Sequence, residues 1–318
     1  MHTTQNLAPQ IRKQLPIDFV RQLHKVSTLR GVISIFWEWA LIITTSLLCV
    51  NYFSWPLYIF TVVFIGARLL ALGLLMHEAV HGLISKNKRL NDFLAELFCA
   101  WPLLISMRSY RIKHLAHHKW LNTDKDPDFV AKTDANWRFP MRVQRFVMIL
   151  FVQLSGLGIF ETFRVMSGKQ VKLKKPSTPI WYHALRVLFY VFILGIFIYL
   201  GKGKLLFMYW FVPFATWTQV ANRLRRVAEH SAVEDRDESM QTRTTTHGFL
   251  ARVFLAPKYI SLHNEHHLFP GVPCYYLPKL HAAFKNDSIA KEHLYMSKNY
   301  WAVFKDLLKS SDKKVEKA

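Results

Sequence analysis

Residues 55–81 read WPLYIFTVVFIGARLLALGLLMHEAVH. Within 55–76 the one charged side chain is Arg68, and a helix of this length crosses a hydrocarbon core of about 30 Å at about 1.5 Å per residue. His77 and His81 follow at once, four positions apart, so a continued helix carries both imidazoles on one face. The stretch predicts a membrane-spanning helix that presents two potential metal ligands at its end.

Three more apolar segments are long enough, or nearly so, to cross a bilayer. They lie at 32–50, 182–200 and 204–221. The first contains one charge, Glu38, the second contains Arg186, and the third has none after Lys204. Two shorter stretches, 93–107 and 146–160, are interrupted by polar residues, glycine or proline, and we interpret them as interfacial or re-entrant helices, with a membrane crossing as the alternative. The sequence thus predicts four spans.

Basic residues predict the orientation of these spans. The chain has 42 Lys+Arg against 21 Asp+Glu, a net charge of +21. The excess lies before the first span, in loop 77–145 and after residue 221, so the positive-inside rule places both termini and these regions in the cytoplasm. Attraction to membrane lipids with anionic headgroups and to an acidic redox partner explains the charge better than nucleic acid, for which the sequence has no binding motif.

The same pattern divides the chain into three parts. Residues 1–31 predict a basic amphipathic segment that lies on the bilayer surface or, alternatively, packs on the cytoplasmic part. Residues 32–308 form a single membrane domain, and 309–318 form a charged tail. The three cysteines suggest no disulfide framework, and no cleavable signal precedes the first span. We therefore expect an all-α integral membrane protein.

Nine of the fifteen histidines form four groups beside the apolar segments. They are His77 and His81; His114, His117 and His118; His230; and His263, His266 and His267. Offsets of three and four residues share one helix face. Since the groups are far apart in sequence but on one side of the membrane, we expect the long loop and tail to form a cytoplasmic helical cap over the span ends. The six remaining histidines lack this spacing and are predicted to be surface or packing residues: His2, His24, His183, His247, His281 and His293.

Nine imidazoles are more than one ion requires, so the pattern predicts a di-metal site with the ligands split as four and five. Nitrogen ligands without cysteine favour iron among the redox metals. Zinc is the main rival, although it takes about four protein ligands in structural sites and about three in catalytic ones. Five neighbouring carboxylates are candidates to accept the free ring N–H groups, with ordinary caps and ion pairs as the alternative: Glu78, Asp126, Asp128, Glu229 and Glu265.

These groups resemble the histidine boxes of the membrane fatty acid desaturase family. The boxes read HEAVH at 77–81, HLAHH at 114–118 and HNEHH at 263–267. The flanking segments are similar as well, with HHKWLNTDKDPD at 117–128, TRTT at 242–245 and NEHHLFPGVP at 264–273. The resemblance runs from about residue 60 to about 285. Alkane hydroxylases and carotenoid ketolases share such boxes, so they specify the site more firmly than the substrate.

The resemblance implies a non-haem centre of two Fe ions held by the nine histidines, four membrane helices, a cytosolic cap and an acyl tunnel that reaches the metal. Relatives acting on acyl-CoA place Asn four residues before the equivalent of His230, where this chain has Arg226; Asn222, one turn earlier, is the alternative. The sequence lacks a His-Pro-Gly-Gly haem motif, so no fused haem domain is expected, and the electron donor is an external protein such as ferredoxin or cytochrome b5.

The leading functional prediction is oxygen-dependent desaturation of a lipid acyl chain, which introduces a C=C bond. A di-iron hydroxylase or ketolase that inserts oxygen is the alternative. A membrane protein that stores or transports metal ions is the third reading. It is disfavoured because the histidines lie at or beyond the cytoplasmic ends of the predicted spans, whereas transport requires ionisable residues within them.

Overall fold

The computed structural model describes residues 8–130, 134–166, 171, 173, 178–233 and 241–309. Most of this chain is helical. The helices are α1 (Ala8–Gln14), α2 (Ile17–Leu23), α3 (Thr28–Asn51), α4 (Trp55–Val80), α5 (Lys88–Ala95), α6 (Met107–Lys119), α7 (Pro127–Val130), α8 (Val143–Leu154), α9 (Gly158–Met166), α10 (Ile180–Tyr199), α11 (Gly203–Leu206), α12 (Val212–Ala215), α13 (Trp217–His230), α14 (Phe249–Phe254), α15 (His263–Leu268), α16 (Leu277–Asn286), α17 (Ser288–His293) and α18 (Tyr300–Leu307).

Short irregular turns and strands complete the described architecture. Two π-helical turns, Glu96–Ala100 and Phe207–Phe211, and three 3-10 turns, Trp101–Leu103, Pro257–Tyr259 and Cys274–Tyr276, lie between the helices. Strand β1 (Met141–Arg142) pairs in parallel with β4 (Leu308–Lys309), and β2 (Thr244–Thr245) pairs in parallel with β3 (Met296–Ser297). Each strand has two residues, so these pairs hold distant segments together without forming an extended sheet.

Three predicted spans are continuous helices. Helices α3, α4 and α10 cover the predicted 32–50, 55–76 and 182–200 almost completely and are long and apolar enough to cross a membrane. Two helix pairs qualify if each is counted as one bent span, Lys88–Leu103 with Met107–Lys119 at 94° and Val143–Leu154 with Gly158–Arg164 at 88°. The described chain therefore contains three to five candidate spans, as an integral membrane protein requires.

The predicted span 204–221 is helical but interrupted. Helix α11, a π-helical turn and helix α12 follow one another, and α13 begins after Thr216, whose φ of −108° and ψ of −91° lie outside the helical region. Proline at position 213 contributes no backbone N–H, and π-turns and prolines are the usual sites of helix kinks. The apolar stretch is thus a series of short helices instead of one straight rod.

The predicted interfacial segments 93–107 and 146–160 contain the sharp bends of the two bent pairs. Leu104 has a positive φ of 61°, and Gly156 has a φ of 88°. Glycine adopts this left-handed conformation at no steric cost, which explains its use at the second bend. Both segments therefore break where the interfacial or re-entrant interpretation requires a change of direction.

The N-terminal helices pack on the cap. Ile11 is completely buried, in one cluster with Leu23, Leu277, Leu280 and Phe284. The described part of the N-terminal segment is thus two short helices, α1 and α2, that pack on the protein, and its position relative to the bilayer stays a prediction. Residues 1–7 and the tail beyond residue 309 lie outside the described chain.

The single charges of the first two spans meet each other inside the protein. Arg68 Nη1 donates to Glu38 Oε2 at 3.1 Å, and Lys258 Nζ lies 2.7 Å from Glu38 Oε1. The Glu38 side chain is 2% exposed, that of Arg68 9% and that of Lys258 16%. Arg68 also donates to the carbonyl of Val253. This buried ion triad ties α3 and α4 to the segment that leads into α15.

Candidate metal centre

Four helices bring the predicted histidine groups to one place. His77 lies in the last turn of α4, and His81 caps that helix. Helix α6 carries the second group, His230 is the last residue of α13, and the six-residue α15 carries the last group. Six of the nine residues are buried and the other three are half-buried. The structure thus brings together all nine predicted histidines, from segments up to 190 positions apart between residues 77 and 267.

Five of these imidazoles form a first cluster. Its members are His77, His81, His114, His118 and His266, and one ring nitrogen of each lies within 4.8 Å of the others. His114 Nε2 is 2.9 Å from both His81 Nε2 and His118 Nε2, and His118 Nε2 is 3.1 Å from His266 Nε2. One ring nitrogen carries at most one proton, so a single hydrogen bond does not explain both contacts of His114.

The other four form a second cluster. His117, His230 and His267 have ring nitrogens within 4.8 Å of one another. His263 Nε2 joins them, 2.8 Å from His230 Nε2 and 3.1 Å from His267 Nε2. The two clusters adjoin, because the rings of His118 and His267 stack with centroids 4.2 Å apart. The nine histidines therefore divide five and four.

The nitrogen spacing fits metal ligation. A metal–nitrogen bond of about 2.0–2.1 Å places neighbouring nitrogens about 2.9 Å apart around an octahedral ion and about 3.4 Å apart around a tetrahedral one. The close Nε2 pairs here are 2.8–3.1 Å apart. Imidazole nitrogens this close together can share one ion, and iron is among the metals that imidazole suits.

Burial favours the neutral, metal-binding form of His81, His266 and His267. Desolvation, followed by repulsion from neighbouring histidines, lowers the pKa of His266 and of His267 well below the usual range. Desolvation and the nearby Arg111 lower the pKa of His81 to about 4. A neutral ring offers a lone pair to a cation without first losing a proton, so the clusters suit metal binding at neutral pH.

One predicted carboxylate orients a ligand imidazole. Asp126, which is completely buried, accepts from His117 Nδ1 at 2.9 Å and leaves Nε2 to face the second cluster. The same carboxylate accepts backbone N–H groups of Asn122 at 2.9 Å and Asp128 at 2.8 Å. Hydrogen bonds of this kind fix the tautomer and the direction of a ligand ring. The prediction for Asp126 agrees with this geometry.

Two other predicted carboxylates contact groups outside the clusters. Glu265 accepts from His281 Nδ1 and from Thr244 Oγ1, both at 2.5 Å, so it stabilises the cap around the last box. His281, predicted to be a packing residue, is thus a partner of this carboxylate. Glu78 accepts the backbone N–H of Cys274 at 2.7 Å, and its other oxygen lies 4.0 Å from His77 Nδ1.

Glu229 lies close to the ring nitrogens of the second cluster. Its Oε2 is 3.7 Å from His263 Nε2, and the carboxylate forms a possible ligand group with His230 and His263. Arg225 Nη1 donates to the same oxygen at 2.6 Å. Glu229 was a candidate to accept a free ring N–H, with an ion pair as the alternative; the structure shows the ion pair with Arg225 and places the carboxylate on the Nε2 side of His263.

The sequence interpretation did not single out Tyr110. The Tyr110 ring stacks on His114 with centroids 5.5 Å apart and planes 9° apart. Its position four residues before His114 on one helix face was the available signal. Both line a cavity of about 150 Å³ between α4, α6, α9 and α13, together with Leu69, Phe214 and Arg226.

The fold and the histidine clusters together define a class of protein. The sequence matches the family model Fatty acid desaturase over residues 53–299, a range that contains all nine histidines. The chain belongs to the fatty acid desaturase family. It is an oxidoreductase of that family, and its histidine clusters are typical of the family's di-iron site.

Three curated relatives agree with this assignment. The chain is 31% identical over 283 residues to dihydrorhizobitoxine desaturase of Bradyrhizobium elkanii, covering 83% of this chain and 79% of the relative. It is 27% identical over 228 residues to the beta-carotene ketolase of Paracoccus sp., with coverage of 68% and 76%. It is 23% identical over 281 residues to the sn-1 acyl-lipid omega-3 desaturase (ferredoxin) of Synechocystis sp., with coverage of 79% and 73%. The resemblance seen in the histidine boxes is confirmed.

Proposed function

We propose that the protein is an oxygen-dependent desaturase that introduces a C=C bond into a lipid acyl chain at a centre of two iron ions. The proposal rests on one observation above all: nine imidazoles converge in two adjoining clusters, beside a cavity that His114 lines. In this assignment His77, His81, His114, His118 and His266 hold one ion, and His117, His230, His263 and His267 hold the other.

A lipid substrate is supported by a second cavity. An apolar groove of about 260 Å³ lies between α3, α10 and the residues of α11 and α12, and its walls include Trp39, Trp101 and Phe197. Phe214 lines both this groove and the cavity at the clusters. A side chain common to both spaces is a suitable boundary between a bilayer-facing groove for an acyl tail and the reaction site.

The proposal includes the membrane arrangement. Helices α3, α4, α10 and the interrupted segment 203–221 are the four spans, and the two bent pairs lie at the interface. Both termini, the cap and the metal centre are on the cytoplasmic side, as the distribution of basic residues favours. Electrons come from an external donor such as ferredoxin or cytochrome b5, and the name of the Synechocystis relative includes ferredoxin.

The chain contributes orientation and shielding to the reaction. When bound, two iron ions supply the redox chemistry with oxygen that removes hydrogen from an unactivated methylene. Asp126 holds the His117 ring in one tautomer through the Nδ1 hydrogen bond. Leu69, Gly73 and Phe214 form an apolar wall that keeps water away from the reacting methylene, and Tyr110 covers His114.

Lipid analysis tests the proposal. The intact chain, His266→Ala and His183→Ala are expressed in one host, and fatty acids are analysed by gas chromatography with double-bond location. We expect new double bonds with the intact chain and with His183→Ala, because His183 is an exposed residue that bonds Thr178 outside the clusters. His266→Ala should give the host profile. Iron-loaded intact protein without altered double bonds would contradict lipid desaturation.

Oxygen insertion is the second candidate, favoured by the identity of 27% to a beta-carotene ketolase. Both reactions draw on the same histidine clusters, so the product distinguishes them. A product heavier by one oxygen atom indicates hydroxylation, one that has gained an oxygen atom and lost two hydrogens indicates ketone formation, and one lighter by two hydrogens indicates desaturation. Mass spectrometry of lipids from cells supplied with labelled oxygen decides between the two.

A further inference from the structure

Tyr110 carries a hydroxyl group that its contacts within the described chain do not use. The ring stacks on His114 with planes 9° apart, a contact that phenylalanine would make equally well. Among the described residues, no group lies within hydrogen-bond distance of the Tyr110 hydroxyl. The side chain is half-buried and lines the cavity at the first cluster. Because a tyrosine hydroxyl in such a place normally has a partner, this one is available to a molecule that enters the cavity.

Asn222 contributes a second unused donor to the same cavity. Arg225 Nη2 donates to Asn222 Oδ1 at 3.1 Å, which fixes the orientation of the amide because its nitrogen cannot accept that bond. In the part of the chain that the structure describes, the Nδ2 group of Asn222 has no hydrogen-bond partner. Helix α13 presents Asn222 to the cavity and α6 presents Tyr110, so two neutral donors border one space.

The cationic side chains of the cavity already have partners. Arg225 Nη1 donates to Glu229 at 2.6 Å, and Arg226 Nη2 lies 3.4 Å from Asp128 Oδ2. Lys113 has an interaction partner as well. A group that enters the cavity therefore meets paired cations and two unpaired neutral donors. This arrangement suits an uncharged oxygen acceptor, which satisfies the donors without adding a charge that would compete for the existing ion pairs.

The size of the cavity limits how far such an oxygen lies from the reacting carbon. The volume is about 150 Å³, a size that accommodates benzene, roughly six carbon atoms. His114 lines this space together with Tyr110 and Asn222, and α4 closes it with apolar side chains that include Leu70 and Leu74. A substrate whose oxygen contacts the two donors therefore presents a nearby carbon to the first cluster. A pure hydrocarbon would leave both donors unpaired, which costs binding free energy.

We propose that the Tyr110 hydroxyl and Asn222 Nδ2 donate hydrogen bonds to an uncharged oxygen of the substrate, in an ether, ester or hydroxyl group close to the carbon that is oxidised. The inference rests on the proposed function, because it places the reacting carbon at the histidine clusters. It adds a feature of the substrate: a neutral acceptor within roughly six carbon atoms of the reacting carbon. The hydrocarbon tail extends from there past Phe214 into the apolar groove.

Binding of two matched probes to the full-length protein in detergent tests the inference without turnover. Tetrahydropyran and cyclohexane are rings of nearly equal size that differ by one oxygen atom. Ligand-observed NMR measures their affinities, corrected for partition into the micelles, for the intact chain, Tyr110→Phe and Tyr199→Phe. Tyr199 is 89% exposed and does not line the cavity, so its variant is the matched control. We expect the intact chain to prefer tetrahydropyran, and this preference to fall about fivefold in Tyr110→Phe and to persist in Tyr199→Phe.

Equal binding of the two rings to the intact chain would overturn the inference, as would a preference that survives unchanged in Tyr110→Phe. The iron content of each variant after loading separates substrate binding from support of the metal centre. Tyr110→Phe keeps the ring on His114 and should bind as much iron as the intact chain, and a loss of iron would overturn the assignment of its hydroxyl to the substrate. An oxygen preference without altered lipids in cells would reject the proposed reaction and leave the oxygen site standing.

Discussion

The buried ion triad leads to the most demanding stability prediction. Glu38→Gln removes the carboxylate that Arg68 and Lys258 share at 3.1 Å and 2.7 Å, with the Arg68 side chain 9% exposed. Removing one partner of a buried pair typically costs about 3–5 kcal/mol, because the remaining charge is left uncompensated. Lys258 is 16% exposed and can turn toward water, whereas Arg68 cannot. We therefore expect a loss of about 3–5 kcal/mol in the free energy of unfolding.

Unfolding of the purified protein in mixed micelles, followed by circular dichroism, measures this loss. Asp18→Asn is the control, since the Asp18–Arg21 pair has side chains 82% and 72% exposed and should contribute less than about 1 kcal/mol. The double variant Glu38→Leu with Arg68→Leu removes both charges and should lose less than Glu38→Gln alone. A Glu38→Gln protein within about 1 kcal/mol of the natural chain would refute the reasoning.

Three further predictions concern the metal centre and one helix contact. Asp126→Asn should weaken iron binding by about 10–100-fold, because the His117 ring loses its anionic hydrogen-bond acceptor. Metal titration measures the affinity, and an unchanged affinity would contradict this prediction. Chelation of bound iron should lower the midpoint of thermal unfolding and added Fe(II) should restore it, since a ligand specific for the folded state stabilises that state. An unchanged midpoint would argue against iron binding by the histidines. Gly31→Val should lower the free energy of unfolding by about 1–3 kcal/mol, because any Cβ at position 31 overlaps the Ile84 carbonyl oxygen. A denaturation curve of the variant that matches that of the natural chain would contradict this prediction.

Local sequence patterns predicted much of the site. The offsets within each box placed the imidazoles on one helix face, and apolar length located α3, α4 and α10. The histidines form groups of five and four in the structure, and their division between two ions stays a prediction. These features depend on residues near one another in sequence, for which periodicity is a sufficient guide.

Features that depend on how distant segments meet were not predictable in this way. Glu38 and Arg68 each looked like a single charge in an apolar span, and no local pattern shows that they pair with each other and with Lys258. The break at Thr216 is defined by backbone angles that the amino-acid composition of the segment does not predict. The side of the histidine rings that Glu229 faces is likewise set by tertiary packing.

The long separation between the histidine groups also has a consequence for biogenesis. His118 and His266 meet across 148 positions, and α15 is among the later helices of the described chain. During synthesis the first spans enter the membrane before the last box exists, so in the proposed assignment neither ion can acquire its full set of ligands until residues 266 and 267 have emerged. Iron binding would then be a late step in folding that closes a large chain loop. A nascent chain truncated before α15 should retain neither ion.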